Sequence, residues 1–450
     1  MEKQYDPTGL EAKWYPRWEE AGLFTPPADL GGDPFVITLP PPNVTGILHI
    51  GHCLGAGIMD ALVRYYRMHG RPTLFVPGTD HASIATENKV AARLREEGAD
   101  PKEIGREAFL ERAWAWATEH RDTIVSQFKR YGVSLDWTRE AFTMDEARSR
   151  AVLTAFADLH EKGLIYRGDY MTNWSVAQQS AVSDEEVVHK EVQGKLWHFR
   201  YPLVGGGDLV VATTRPETML GDTAVAIHPD AEKTRALSGR EVALPLVDRV
   251  IPIIEDDHVD PEFGTGCVKV TPAHDPNDYE IGKRHDLEFI NIMNPDGTLN
   301  GRVPEKYRGM DRFEARKAVV ADFEAAGLLV EIENHTHMVG YHDRTDTVIE
   351  PYISRQWFLK MDELAKPAIA AVEDGTVRMF PERWVGVYYN WMRNIRDWCI
   401  SRQLWWGHRI PFYECAKGHG FVSVDPPATC PECGDTQLVQ DEDVLDTWFS

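Results

Sequence analysis

Leu39-Pro40-Pro41-Pro42-Asn43-Val44-Thr45-Gly46-Ile47-Leu48-His49-Ile50-Gly51-His52 is the stretch that decides the fold. Residues 35–39 before and into it are apolar and β-branched, the pattern of a buried strand. Three prolines then end the strand, because proline has no N–H to give a neighbour. Thr45 and Gly46 can open a helix, with Thr45 at the N-cap. His49 and His52 stand three apart, so both imidazoles share one face of that helix's first turns. A strand, a tight turn and two histidines near a helix N-terminus make a phosphate-binding arrangement. A lone H-x-x-H is more simply two surface histidines, so the argument rests on the whole phrase.

At 450 residues the chain can hold two or three domains. Its hydrophobic content of 43% and charged content of 26% are those of a soluble protein. No apolar run approaches the ~20 residues needed to span a bilayer, so no membrane partner is expected. Met1-Glu2-Lys3-Gln4-Tyr5-Asp6 lacks a signal-peptide core, which makes a cytoplasmic location the expectation. Six cysteines in this length do not make a disulfide scaffold. The net charge of −23 speaks against a nucleic-acid partner only for the chain as a whole, since a local patch can still be basic. Residues 378–411 carry six arginines against two acids, interleaved with Trp384, Trp391, Trp398, Trp405 and Trp406. A packed tryptophan core with arginines at its rim accounts for most of that stretch, and contact with RNA or ATP is the other reading.

Residues 35–188 alternate strand and helix patterns. Residues 74–76 read as a strand, and 107–128 and 145–162 as helices, the second with a Val152, Phe156, Leu159 stripe and Gly163 as its stop. This is the pattern of a doubly wound α/β domain. From about 190 the texture changes to short β-like runs at 196–202, 208–213, 243–254 and 266–271, with one helix over 312–326 that presents Phe313, Val320 and Phe323. After about 345 the helical Trp/Arg texture returns. The expected organisation is therefore an α/β domain over 1–189, a β-rich α+β insertion over 190–344, and the first domain resumed over 345–450.

The fourteen-residue phrase resembles the first signature of class I aminoacyl-tRNA synthetases, in the form carried by the valyl members. Pro77-Gly78-Thr79-Asp80-His81-Ala82 resembles a second motif of the same family, with Ser83 where glycine is usual. The block from Asn390-Trp391 to Arg409-Ile410-Pro411 resembles a third, and Asp446-Thr447-Trp448-Phe449-Ser450 a further pocket segment. The resemblance runs over 5–450 and implies a Rossmann-like catalytic fold. It also implies ATP with Mg²⁺, valine and tRNA(Val) as reactants, and a monomer. Activation of an amino acid is attack of its carboxylate on the α-phosphate, which needs alignment and charge stabilisation more than a base. His49 and His52 would donate to phosphate, with Asn43 and Thr45 sharing the task. Asp80 would hold the α-ammonium, although on spacing alone a capping aspartate stands level with that role. Pro41, Pro42 and Trp448 would form a rigid apolar wall that excludes isoleucine.

Size exclusion cannot reject threonine. For valyl enzymes it separates the two by only about a hundredfold, an established figure for that class and not one derived from this chain, and hydrolysis at a second site is the remedy. Thr213-Thr214-Arg215-Pro216-Glu217-Thr218-Met219-Leu220-Gly221-Asp222-Thr223 and Lys269-Val270-Thr271-Pro272-Ala273-His274-Asp275-Pro276-Asn277-Asp278 resemble the editing domain of this subgroup. By that resemblance Asp278 would hold the α-ammonium. Lys269, Asp275 and Arg215 would read the threonine hydroxyl and the terminal ribose. Thr214, Thr218 and Thr271 would supply hydroxyls for the ester and a positioned water. Singly, each threonine is as well read as a strand residue; it is the pair of phrases that carries the reading.

Cys415-x3-His419 and Cys430-x2-Cys433 offer three thiols and an imidazole within about 412–436, the makings of a closed structural Zn²⁺ site. His408 is an alternative fourth ligand, and a redox C-x-x-C is the rival reading. The chain stops at Ser450, before the lysine-rich second signature and the anticodon-binding domain that the family implies. The expectation is thus the N-terminal portion of such an enzyme, unable to charge tRNA efficiently by itself. An isoleucyl-type synthetase and a stand-alone editing hydrolase are the alternatives.

Overall fold

The structure is a computed structural model that describes residues 9–27, 31–261 and 265–450; the Met1–Asp6 reading above lies outside these. The chain forms two compact units, one from Met1–Ile165 with Ile400–Ser450 and one from Tyr166–Cys399. The changes of texture near 190 and 345 both fall inside the second unit.

In the first unit, strand Phe35–Thr38 runs parallel to Thr73–Val76, with Phe35 opposite Thr73. Helix Ile50–Met68 makes the crossover between them. Its Ala56 and Val63 pack with Leu39, Phe75, Ile124, Phe128, Val133 and Leu135. Asp60 is buried on the same face because the Ser134 N–H donates to it at 2.9 Å and Arg64 Nε at 2.7 Å. The opposite face leaves Ile50, Leu54, Ile58 and Leu62 exposed. A second parallel ladder joins Gly78–Thr79 to Ala141–Phe142.

The predicted 107–128 helix spans Arg106–Tyr131 and ends at Gly132, whose φ of 87° suits a residue without a Cβ. The predicted 145–162 helix is Glu146–Glu161. Asp145 caps it by accepting the Arg148 N–H at 2.9 Å, and Val152 and Phe156 are buried as expected. The packed reading of the tryptophans holds for Trp406, which is fully buried and donates its indole N–H to His81 O at 2.8 Å. It fails for Trp384 and Trp391, which are 51% and 56% exposed on and beside a short helix, Val385–Arg393, with no buried residue of its own.

In the second unit a four-stranded sheet has the order Glu241–Leu244, Arg249–Glu255, Ala224–Ile227, Cys267–Val270. A three-stranded sheet has the order Leu329–His342, Val187–Pro202, Asp208–Thr213. Their apolar faces meet in a core that includes Phe199, Val211, Val225, Ile251 and Ile292, and helix Arg312–Ala325 adds Val319 and Phe323. That helix buries Arg312, Ala315, Val319 and Phe323 rather than the predicted Phe313 and Val320. The rotation follows from an ion pair: Arg312 Nε donates to the buried Glu350 at 2.6 Å, so a charged residue takes a core position. Strands Val187–Pro202 and Leu329–His342 extend far beyond the predicted 196–202 as an antiparallel ribbon. Its outer part is exposed on both faces and so lacks the alternation by which strands are read. Among the described residues no helix is long and apolar enough to cross a membrane.

Candidate active and metal sites

The predicted helix start at Thr45 is corrected by the structure: the N-cap is His49 and the helix begins at Ile50. The loop before it is held in place instead. Val44 N–H donates to Asp80 O at 3.0 Å, Asp80 N–H to Pro42 O at 2.9 Å, and Leu48 N–H to Gln127 Oε1 at 2.8 Å. The Trp116 indole donates to Val44 O at 2.9 Å. With the loop pinned at this many points, the N-terminal end of the helix, where its dipole is positive, is placed at the two histidines.

The histidines close a reciprocal capping box. Gly51 N–H donates to His49 Nδ1 and His49 N–H donates to His52 Nδ1, both at 3.1 Å, and the rings lie 3.9 Å apart. An Nδ1 that accepts cannot carry the ring proton, so each Nε2 is left as an outward N–H donor. Burial, then the neighbouring His49, holds His52 below its ordinary pKa. A cavity of about 350 Å³ opens beside the pair, and Pro41, Pro42, Asn43, Thr45, His49 and His52 line it. Six of the eight residues predicted for this site therefore meet at one cavity.

Asp80 is tied to the cavity loop through the backbone bridge to Asn43. Its Oδ1 accepts the Ala82 N–H at 3.0 Å and the Thr143 hydroxyl at 3.2 Å. Burial opposes its ionisation, but hydrogen bonds from His81, Ala82 and Thr143 prevail and hold the carboxyl below its usual range. Thr143, which no motif marked, also accepts the His81 N–H at 2.9 Å and so positions both residues. Ser83, in place of the usual glycine, is 1% exposed and lies 3.0 Å from His81 Nε2.

Trp448 is 80% exposed and is not among the residues that line the cavity. Its backbone is fixed by the Asp446 carboxylate, which accepts the Trp448 N–H at 2.7 Å and pairs with Arg402.

In the second unit the two predicted phrases are in contact. Arg215 donates to His274 O at 2.5 Å. Thr271 Oγ1 donates to Asp222 Oδ1 at 2.5 Å and accepts from Lys269 Nζ at 2.6 Å, while the Thr271 N–H donates to Asp278 Oδ2 at 2.8 Å. Asp275 caps helix Pro276–Arg284 through the Asn277 and Asp278 N–H groups, at 2.8 and 3.2 Å. Thr214 and Thr218 flank Arg215, and Thr218 Oγ1 donates to Arg215 O at 2.9 Å. The Arg215 guanidinium is already engaged by Glu350 as well as by His274 O, which limits its freedom to reach a ribose.

Sequence reasoning missed Asp222 and Glu217, both fully buried. Burial pushes the Asp222 carboxyl up against the pull of Lys269, Thr271 and Tyr201. Burial acts the same way on Glu217, but Arg316 at 2.7 and 2.8 Å outweighs it and holds that carboxyl low. The only sequence signal is that each stands beside the apolar pair Met219-Leu220, and a carboxylate buried with such residues needs a partner. A wider cleft of about 630 Å³ lies elsewhere in this unit, but its Asp256 is already paired with Arg284 at 2.8 Å and touches His285 Nε2 at 2.9 Å.

The ligand atoms of Cys415, His419, Cys430 and Cys433 all lie within 4.8 Å of one another. The Cys415 and Cys433 sulfurs are 3.8 Å apart. A tetrahedral ion with Zn–S bonds of about 2.3 Å has an S–S edge of about 3.8 Å. His408 is not the fourth ligand: it is buried beside His81, with Nε2 3.1 Å from Ser149 Oγ. The donor atoms sit on a three-stranded sheet, Gly420–Val422, Phe412–Cys415, Leu438–Gln440, and on the turn that ends in Gly434 at φ 72°.

Comparison with known proteins gives one consistent result. The family model described as tRNA synthetases class I (I, L, M and V) matches residues 13–429. Valine--tRNA ligase of Clostridium tetani is 54% identical over 450 residues, covering 100% of this chain and 51% of that protein. The Synechocystis and Thermotoga maritima proteins of the same name are each 54% identical, over 99% and 100% of this chain and 51% and 52% of their own length. The chain thus spans about half the length of the curated relatives it matches. The crystal structure of a ternary complex, Agrobacterium radiobacter K84 agnB2 LeuRS-tRNA-LeuAMS, aligns with a TM-score of 0.49 and 18% identity over 99% of this chain and 59% of that one.

Burial and the nearby Asp275 raise the Asp278 carboxyl from 3.8 to about 7, against the pull of Lys269. An acid whose pKa is raised by folding stabilises the fold fully below its unfolded pKa, and that contribution is lost as pH rises from about 4 through 7. Asp278→Asn keeps an acceptor for the Thr271 N–H and cannot ionise. Its melting temperature relative to the parent is therefore expected to climb between pH 5 and pH 8, measured by calorimetry; a pH-independent difference would refute the assignment.

Proposed function

The chain belongs to the class I tRNA synthetases of the I, L, M and V group, and from that premise we propose that it serves the ATP-dependent joining of valine to tRNA(Val). The observation that carries this reading is the cavity where the proline loop meets two histidines whose outward N–H donors are set by their own capping box. The valine carboxylate attacks the α-phosphorus of ATP, the bond to the pyrophosphate oxygen breaks, and valyl-adenylate forms. No base is required. His49 and His52 donate to phosphate oxygens on which charge builds, and Asn43 and Thr45 line the same wall. Mg²⁺ accompanies the nucleotide. Asp80, held ionised and tied to the loop, receives the α-ammonium. The proline loop, stiff because its φ angles are fixed, limits the side-chain pocket.

The test is calorimetric titration with a non-hydrolysable valyl-adenylate analogue. Binding is expected, with the isoleucyl analogue weaker by about tenfold or more, the scale of one methylene in a rigid pocket. His49→Ala is expected to cost a further ~10- to 100-fold, the scale of a hydrogen bond to a charged group. No binding, or equal binding of both analogues, would sink the proposal.

The second unit is proposed as a deacylase of threonyl-tRNA(Val). Water attacks the ester carbonyl, the bond to the terminal ribose oxygen breaks, and threonine leaves. Asp278 receives the α-ammonium, Lys269 reads the side-chain hydroxyl, Asp275 and Arg215 face the ribose, and Thr214, Thr218 and Thr271 provide polar wall. What supports this is the bonded cluster Lys269–Thr271–Asp278 at the contact between the two phrases. The purified chain is expected to hydrolyse threonyl-tRNA(Val) while sparing valyl-tRNA(Val), and Asp278→Ala to abolish this. Equal loss of both esters, or loss unaffected by Asp278→Ala, would refute it.

Cys415, His419, Cys430 and Cys433 are proposed to hold one Zn²⁺, which with four protein ligands and no open position acts structurally. Elemental analysis should return one zinc per chain, and Cys433→Ser should lower it together with the melting temperature. A metal-free chain of unchanged stability would count against the site.

A further inference from the structure

Asp222 is fully buried at the end of the short turn Pro216–Gly221, and the groups that face its carboxylate among the described residues are donors. Tyr201 OH donates to Oδ2 at 2.7 Å, Thr271 Oγ1 to Oδ1 at 2.5 Å, and Lys269 Nζ stands 3.5 Å from Oδ1. The backbone around it is fixed as well. Arg249 donates to Asp222 O at 2.6 Å, and at Gly221 a Cβ would meet Ile290 O at 3.1 Å, so the turn is held at its carbonyl and packs too closely for a side chain at residue 221.

A hydroxyl has one proton. Since Thr271 gives its proton to Asp222, it can only accept from Lys269, as the 2.6 Å contact shows. One Lys269 N–H is thereby directed onto Thr271, and with the Cε–Nζ axis this fixes the ammonium rotor and so the directions of its other two N–H bonds, while Asp222 at 3.5 Å supplies the counter-charge on the same side. We propose that Asp222 is a positioning residue of the hydrolytic site: through Thr271 it aims the two remaining Lys269 N–H bonds, by which the site tells a β-hydroxyl from a methyl. This rests on the deacylase reading above. An asparagine at this position could not replace the aspartate. An amide presents a donor where the carboxylate accepts from either Tyr201 or Thr271, so one of the two hydroxyls would have to turn.

The test compares hydrolysis of threonyl- and valyl-tRNA(Val) across pH for the parent chain, Asp222→Asn, Thr271→Val, Thr271→Ser and the Asp222→Asn/Thr271→Val double variant. Tyr201, Arg249, Lys269 and Asp278 are the titratable groups that face this cluster from the surrounding strands and helix, with His274 beside Lys269. Asp222→Asn is expected to lower kcat/KM for the threonyl ester by about tenfold or more and to shift its pH profile, with the valyl rate little changed. Thr271→Val should copy it, Thr271→Ser should restore parent behaviour, and the double variant should be no worse than either single one. Equal losses on both esters, or additive effects, would mean a merely structural role and overturn the proposal. Acylation of Lys269 by acetic anhydride, followed by mass spectrometry, decides the geometry without any tRNA. Asp222→Asn should raise its labelling rate several-fold near pH 8, because the ammonium loses its counter-charge. If the parent hydrolyses neither ester, the deacylase reading fails and the specificity role falls with it; unchanged labelling overturns the hold of Asp222 on Lys269.

Discussion

The backbone exchange between Pro42–Val44 and Asp80 is the constraint on which the first unit's site depends. Two hydrogen bonds, Asp80 N–H to Pro42 O and Val44 N–H to Asp80 O, extend the parallel pairing of the preceding strands past the point where proline ends the ladder. They bring the proline loop and the Thr-Asp-His loop side by side. The histidines, the cavity wall and Asp80 are then placed relative to each other by main chain rather than by long side chains. Such placement costs little rotamer entropy and tolerates little drift.

The second unit solves a different problem. It keeps Asp222, Glu217, Glu350 and Asp278 out of water beside Lys269, Arg215, Arg312 and Arg316. Desolvation penalises each of these charges, and pairing with good geometry offsets it. Replacing them with apolar residues could give an equally stable core. These acids stand on the turn Pro216–Gly221 and its C-cap, the helix Pro276–Arg284 and the strand Ile349–Leu359, and the proposed hydrolytic site would use them to hold donors and acceptors ready for a polar substrate. Asp278 is the member that pairing satisfies least. Among the described residues a backbone N–H is what approaches it directly, and Asp275 repels it, so a ligand cation would complete its environment.

Much of this was legible in the sequence because it is local. The strand, the proline stop and the two helices over 106–131 and 146–161 follow from short-range rules on β-branching, proline, caps and glycine. The Cys/His spacing likewise sufficed to find a cluster that closes on a tetrahedral edge. The errors have non-local causes. Thr45 lost the N-cap to His49 because the loop up to Leu48 is held by Asp80, Trp116 and Gln127 while His49 itself caps the first turn through Gly51 and His52. Arg312 displaced apolar neighbours from the core because Glu350 waits there.

By itself the sequence determined the residue types of each site, the order of elements around the first motif and the kinship of the chain, since each is written in contiguous phrases. Only the tertiary structure decided which nitrogen of each histidine faces out, that Asp222 stands beside Lys269 and Thr271, and that His419 rather than His408 joins the three cysteines. Those outcomes depend on hydrogen-bond direction and on burial. For Asp222 and His408 the partners stand tens to hundreds of residues away, where no local pattern carries a signal; for the histidines they are two and three residues away, but only the folded backbone directs their N–H groups onto the rings.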